Sequence, residues 1–99
     1  MNATIQSVNF NIDKDLKLFV ENKLDTLEKY YDKVINAEVF LKVQKTSDKE
    51  NKIIEVKLNV PGDDIVVKKT AKTFEEGVSL TVDSLKRNLR KHKEKQRGR

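Results

Sequence analysis

Cysteine is absent from this chain, and histidine and proline each occur once. Without cysteine there is no disulfide, no thiolate metal ligand and no thiol nucleophile. The one histidine, His92, has neither a cysteine nor a second histidine with which to complete a metal site. These absences exclude most thiol and metal chemistry, and a chain without cysteine is compatible with a reducing cytoplasm.

Long hydrophobic runs are also missing. No stretch approaches the roughly 20 apolar residues needed to cross a bilayer. Residues 1–10 lack the basic start and the long apolar segment of a signal peptide. We therefore expect a soluble, cytoplasmic protein without a membrane partner.

The motifs of common enzyme sites do not occur either. There is no glycine-rich phosphate loop and no recognisable spacing of nucleophile and base. The paired carboxylates Asp63 and Asp64 follow Pro61-Gly62 and are predicted to be turn residues. The sequence predicts a protein that is not an enzyme and has neither cofactor nor small-molecule substrate.

What the chain does have is patterned apolar residues. Residues 2–10 are rich in β-branched side chains and predict a strand. Asp13 can then cap a helix whose apolar positions recur every three or four residues on one stripe. The stripe consists of Leu16, Phe19, Val20, Leu24, Leu27 and Tyr31.

Three strands and a second helix follow. Apolar and polar residues alternate over residues 34–45 and again over 54–60, which predicts two half-buried strands. Residues 46–51 predict a polar turn between them, and residues 61–64 predict a tighter turn before a short strand from Ile65 to about Lys69. The second helix is predicted from about Thr73 past Leu89. Its stripe consists of Phe74, Val78, Val82, Leu85 and Leu89.

These elements define one domain over residues 1–99 with the order β-α-β-β-β-α. The short turns make the last three strands an antiparallel meander. The fold class is therefore α+β, with a mainly antiparallel four-stranded sheet and both helices on one face. Gly77 lies inside the second helix at a cost of about 1 kcal/mol relative to alanine, which predicts close packing there.

Positive charge is concentrated at the end of the second helix. Eight basic residues and one acid give residues 86–99 a net charge of +7, so with +5 in total residues 1–85 carry −2. Beyond Leu89 no apolar residue ties the helix to the core, and like charges recur at i,i+4, each pair costing about 0.2–0.5 kcal/mol. We predict a tail that frays over about residues 92–99 and becomes ordered on a polyanion. The alternative is a solvated tail that only aids solubility.

Tyr30 and Tyr31 close the first predicted helix, and residues 68–72 carry a short basic motif. Tyr31 fits the core stripe, whereas stacking of Tyr30 on a base has no support in the sequence. Residues 68–72, K-K-T-A-K, are similar to a signature of double-stranded RNA-binding domains. Such domains begin with a helix, so the match predicts only a related topology and a secondary basic patch.

Three stretches carry a more specific resemblance over essentially the whole chain. They are L-E-K-Y-Y-D-K at residues 27–33, V-F-L-K-V-Q-K at 39–45 and D-S-L-K-R-N-L-R-K-H-K-E-K at 83–95. Together they resemble the short-form ribosome hibernation promoting factors, the family that includes ribosome-associated inhibitor A.

The resemblance implies a fold similar to double-stranded RNA-binding domains with an added first strand. It implies binding to the small ribosomal subunit and its 16S ribosomal RNA, where the protein covers the positions of messenger RNA and of transfer RNA in the A and P sites. Translation is thereby inhibited in stationary phase or starvation. The matched positions imply RNA contacts by Lys23, Arg87, Lys91, His92, Lys93 and Lys95. Charge and helix geometry add Lys86 and Arg90.

The chain departs from the family at the start of the second helix, where Thr73, Glu75 and Ser79 replace the usual acids and aromatic. Long forms carry a further domain that pairs ribosomes, and from a chain ending at Arg99 we expect no pairing of that kind and a monomer in isolation. Two other functions stay open. One is a stand-alone binder of double-stranded RNA, and the other is a module whose basic tail binds an acidic protein.

Overall fold

The computed structural model describes residues 1–45, 47, 49 and 51–97, with side chains through residue 95. The elements are β1 (Asn2–Val8), α1 (Lys14–Tyr30), β2 (Asn36–Val43), β3 (Lys52–Val60), β4 (Asp63–Ala71) and α2 (Phe74–Arg97). The predicted order β-α-β-β-β-α is confirmed. Much of the predicted turn at residues 46–51 lies outside the described residues.

The four strands form one mixed sheet in the order β1-β2-β3-β4. β1 pairs with β2 in parallel, because α1 crosses over between them, whereas β2, β3 and β4 form the predicted antiparallel meander. Val39, Val56 and Val67 are register partners across the sheet and are all buried. They mark the face that carries the core.

The turn before β4 is shorter than predicted. It consists of Pro61 and Gly62 alone, and Gly62 has φ of +80°, which a glycine adopts without strain. Asp63 and Asp64 are not turn residues, because they already pair with Val60 and Asn59 across the sheet. The prediction of a turn through residue 64 and a strand over only 65–69 was therefore wrong.

Helix α1 begins and ends close to the predicted residues. The Asp13 side chain accepts a hydrogen bond from the Leu16 amide at 2.7 Å, as a helix cap does. Val20, Leu24 and Leu27 are buried along the helix, and Tyr31, just past its end, is 5% exposed. Core packing of Tyr31 is confirmed.

Helix α2 packs on β3, β4 and α1. All five residues of its predicted stripe are buried. A Cβ added at Gly77 would overlap the side chain of Ile54 on β3 and would lie 3.4 Å from the Ala71 Cβ. Close packing at Gly77 is confirmed, and both helices cover the same face of the sheet.

The two helices run parallel. Near their starts, the rings of Phe10 and Phe74 stack with centroids 4.7 Å apart, and near their ends Tyr31 contacts His92. In the part of the chain that the structure describes, neither helix has an apolar stretch sufficient to span a bilayer.

Candidate nucleic-acid interface

The C-terminal part of α2 continues beyond the core. Leu89 is fully buried, and the helix runs eight residues further to Arg97, about 12 Å at 1.5 Å per residue. Residues 90–95 are exposed or half-buried. The basic segment therefore continues as a helix past the last buried leucine, while its fraying in solution stays a prediction.

The predicted RNA-contact residues lie along this helix, with one on α1. We call them together the basic surface, which consists of Lys23, Lys86, Arg87, Arg90, Lys91, His92, Lys93 and Lys95. A turn of 100° per residue sets Arg87, Arg90 and Lys91 opposite the buried Leu85 and Leu89, and all three are exposed. Arg87 also donates a hydrogen bond to the Ser84 hydroxyl at 2.9 Å. All three side chains face solvent, where phosphates can reach them.

Lys93 lies on the side that faces α1. Its Nζ is 3.5 Å from the carbonyl oxygen of Tyr30 and 5.5 Å from the centre of the Tyr30 ring. That carbonyl belongs to the last residue of α1, where the partial negative charge of the helix dipole attracts a cation. Lys93 therefore reaches from α2 to the end of α1 through a long, exposed contact.

Lys23 on α1 and Lys86 on α2 add two half-buried basic side chains. Lys23 precedes Tyr30 by seven residues and Lys86 precedes Lys93 by the same number, each a rise of about 10 Å. Because the helices are parallel, Lys23 and Lys86 lie at about the same height. Lys23 is half-buried, with its Nζ 5.6 Å from the centre of the Phe19 ring.

His92 occupies a more enclosed position than its charged neighbours. Its ring meets Tyr31 edge to face with centroids 5.8 Å apart. Its Nε2 is buried and has no hydrogen-bond partner among the described residues. A phosphate contact through this residue, as predicted, has to use the other ring nitrogen or a rotated ring.

One side of the basic surface faces the start of β4. Lys91, Lys95 and His92 line a groove of about 340 Å³ together with Asp63 and Asp64. Asp64 already accepts a hydrogen bond from Asn59 at 2.7 Å, and its carboxylate lies 3.8 Å from Lys57. The carboxylates reduce the positive potential beside Lys91 and Lys95. Arg87 and Arg90 do not line this groove and therefore lie in the more positive part of the surface.

The K-K-T-A-K stretch does not form one patch. Lys68 and Lys69 are adjacent in β4, so their side chains point to opposite faces of the sheet. Lys68 is exposed and Lys69 is half-buried. Within residues 1–45, 47, 49 and 51–97, no three His, Cys, Asp or Glu side chains gather as metal ligands would.

Two contributions to the surface were not predicted from the sequence. Tyr30 contacts Lys93 although the two are 63 residues apart, and Asp63 and Asp64 line a groove with Lys91 and Lys95 from another element. No local pattern signals either contact, because each depends on how α2 lies over the rest of the domain.

Comparison with known proteins shows which protein family the chain belongs to. Residues 3–97 match the family described as sigma 54 modulation protein / S30EA ribosomal protein, and the chain belongs to that family. Two solved structures share the fold at 22% identity. They are a ribosomal subunit interface protein from Coxiella burnetii (TM-score 0.83, 94% of this chain and 98% of that one) and the N-terminal domain of Thermus thermophilus Protein Y (TM-score 0.79, 93% and 99%).

Curated relatives give the class more detail. The chain is 31% identical to a ribosome hibernation promoting factor of Pseudomonas putida over 99% of this chain and 92% of that one. It is 30% identical to the Escherichia coli K12 protein of the same name over 96% of each. Against the Bacillus subtilis ribosome hibernation promotion factor, 31% identical, it spans 50% of the longer protein.

Proposed function

We propose that this protein is a ribosome hibernation factor that binds the small ribosomal subunit, contacts 16S ribosomal RNA, and inhibits translation by occupying the positions of messenger RNA and of A- and P-site transfer RNA. The proposal rests on the basic surface, most of which lies on a helix that extends eight residues beyond its last buried leucine, Leu89. Family membership and the names of the curated relatives support it.

The mechanism is occupancy, in which the chain binds and excludes other ligands without making or breaking a bond. Arg87, Arg90 and Lys91 contact phosphate oxygens from the outward side of α2, and Lys95 contacts them from its flank. The mixture of arginine and lysine suits contacts to the backbone, which position a protein without reading a base sequence. The factor therefore recognises the shape and charge of a site rather than a short RNA motif.

The remaining phosphate contacts come from half-buried side chains of α1 and α2. Lys23 on α1 and Lys86 on α2 lie at about the same height along the parallel helix axes. Lys93 lies about 10 Å further towards the helix ends. His92 completes the set from its half-buried position. Binding of phosphates relieves the repulsion between like charges on α2 and releases counterions, which favours association at low salt. In the cell the protein is cytoplasmic and associated with ribosomes during stationary phase or starvation.

The proposal is tested by sedimentation with vacant ribosomes. The protein should move with the small subunit, and messenger RNA with initiator transfer RNA should displace it. If about five of the named side chains contact phosphates, the log–log slope of binding against salt should be very roughly −3.5 to −4.5. A protein that stays at the top of the gradient at low salt would exclude ribosome binding.

Reversing the charge of three basic residues on α2 tests whether they contact phosphates. Arg87→Glu, Lys91→Glu and Lys95→Glu together should abolish ribosome binding without unfolding the domain, because all three side chains are exposed. The control is Lys42→Glu, Lys45→Glu and Lys72→Glu, which changes the net charge equally at exposed positions off α2. Circular dichroism checks that both variants fold. Equal binding by the α2 variant and the parent would contradict the phosphate contacts.

The same samples discriminate the other functions. Equal affinity for a bare RNA duplex and for small subunits would indicate a general binder of double-stranded RNA. Binding that survives ribonuclease treatment of the partner would indicate an acidic protein instead.

A further inference from the structure

A second groove lies near the starts of the two helices, away from the basic residues at the end of α2. Its volume is about 590 Å³, and Phe10, Phe19 and Phe74 contribute aromatic rings to it. Asp13, Asp15 and Glu75 contribute carboxylates. We refer to it as the acidic aromatic groove. It brings together the link before α1, the first turns of α1 and the first turn of α2.

The groove is preformed. Phe10 and Phe74 stack at 4.7 Å with an interplanar angle of 20°, which joins the link before α1 to the start of α2. Phe74 is only 7% exposed, while Phe10 and Phe19 are half-buried and keep part of their surface open to the groove. A ligand therefore does not have to order the site before binding.

The charge of the groove is opposite to that of the chain as a whole. Its three carboxylates lie in a protein of net charge +5, and all three residues are exposed. Asp13 caps α1, and Asp15 and Glu75 lie in first turns, where the helix dipoles stabilise them. Such a rim repels RNA and attracts cations, so a nucleic acid is not its ligand.

Aromatic rings beside carboxylates favour one kind of cation. The face of an aromatic ring attracts an ammonium or guanidinium group, and carboxylates accept the hydrogen bonds of a guanidinium in a fork geometry. The chain itself provides an example, since the Lys23 Nζ already lies over the Phe19 ring at 5.6 Å from its centre. Phe10 and Phe74 cover one face of each other, so a peptide cation would approach the outer face of Phe10 beside the carboxylates. A small metal ion would make no use of the rings.

We propose that the acidic aromatic groove binds a basic, arginine-bearing peptide segment of a partner protein, separately from the RNA contacts. Glu75 and the basic Lys91 are 16 residues apart on one helix, about 24 Å. The protein can therefore hold a nucleic acid at one end of α2 and a cationic protein segment at the other. The inference does not depend on the proposed function, because the groove belongs to the free protein.

The test is a titration of the full chain with a hexapeptide of alternating glycine and arginine, followed by amide NMR shifts. Shifts should be confined to about residues 9–19 and 73–77. The same peptide with citrulline, a neutral analogue of arginine, should leave those amides unchanged. Shifts that scatter over all acidic regions, or equal shifts with citrulline, would overturn the proposal.

Matched variants make the assignment specific. Asp15→Asn with Glu75→Gln should weaken peptide binding by about threefold to tenfold, since ion pairs and cation–π contacts are lost. Asp25→Asn with Glu76→Gln removes the same charge from exposed acids that do not line the groove and should bind as the parent does. If both double variants lost peptide affinity equally, the effect would come from net charge alone, and the proposed site would be wrong.

Two further outcomes are decisive. If the same amides shift with protein concentration in the absence of peptide, the groove binds the basic end of a second copy, and the proposal is wrong. The Asp15/Glu75 variant should bind vacant ribosomes in sedimentation if the basic surface alone contacts RNA. Failure of the peptide to bind, with ribosome binding intact, would sink this inference and leave the proposed function standing.

Discussion

At the scale of single residues, the most constrained position is Gly77. It was predicted to mark close packing because a glycine inside a helix costs stability, and the structure places it against Ile54 and Ala71. His92 shows the converse case, in which a residue placed among lysines by sequence is partly covered by Tyr31 in the fold. Sequence context predicts what a residue type can do, and its neighbours in space decide whether it can do so.

Replacement of Gly77 by alanine should lower the free energy of unfolding by up to about 2 kcal/mol. Overpacking costs about 1–3 kcal/mol, and the better helix propensity of alanine returns up to about 1 kcal/mol. Urea unfolding measures the change. Ile54→Val removes the methyl group that the new Cβ would meet, so the double variant should lose less than the sum of the two single variants. Stabilisation by Gly77→Ala would contradict the close contact.

At the scale of elements, α2 is one helix whose two parts are held by different contacts. Up to Leu89 its apolar stripe is buried against the sheet and α1, and beyond Leu89 only partial contacts such as Lys93 with Tyr30 remain. The like-charge pairs Arg87 with Lys91 and Lys91 with Lys95 oppose the second part. The two parts should therefore differ in stability, although they form one continuous helix.

Hydrogen exchange measures that difference. In the free protein the amides of residues 93–97 should exchange at least about tenfold faster than those of residues 81–89, because local opening there exposes no core. A ribosome-bound or RNA-bound sample should slow their exchange, since phosphates remove the repulsion. Equally slow exchange of both segments in the free protein would show that the helix end is ordered before binding, and the predicted fraying would be wrong.

At the scale of the whole molecule, the parallel helices separate charge. Both helix starts lie beside the acidic aromatic groove, and both helix ends lie beside the basic surface, an arrangement that the helix dipoles favour at each end. The antiparallel meander then brings the start of β4 to the side of α2, where Asp63 and Asp64 face the lysines. The fold thus limits the basic surface on one side.

Neutralising one of those carboxylates should strengthen RNA binding. Asp63→Asn keeps an oxygen that can accept the hydrogen bond from the Asp64 amide, now 2.8 Å, and removes one negative charge from the groove. The expected gain in ribosome affinity is about 1.5-fold to fivefold at low salt, the range of an exposed ion pair. Glu38→Gln, an exposed change on the other face of the sheet, should have no effect. Affinity that falls in Asp63→Asn would contradict this electrostatic account.

The sequence by itself determined the element order, the two helical stripes, the cap at Asp13 and the location of excess positive charge, because each depends on residues within about four positions of one another. It did not determine the two-residue turn at Pro61 and Gly62, since the pairing of Asp63 with Val60 depends on the neighbouring strand. Only the tertiary structure decided that α1 and α2 run parallel. That arrangement brings Lys93 to Tyr30 and gathers three phenylalanines and three carboxylates at the other end, contacts between residues far apart in the chain that no local pattern encodes.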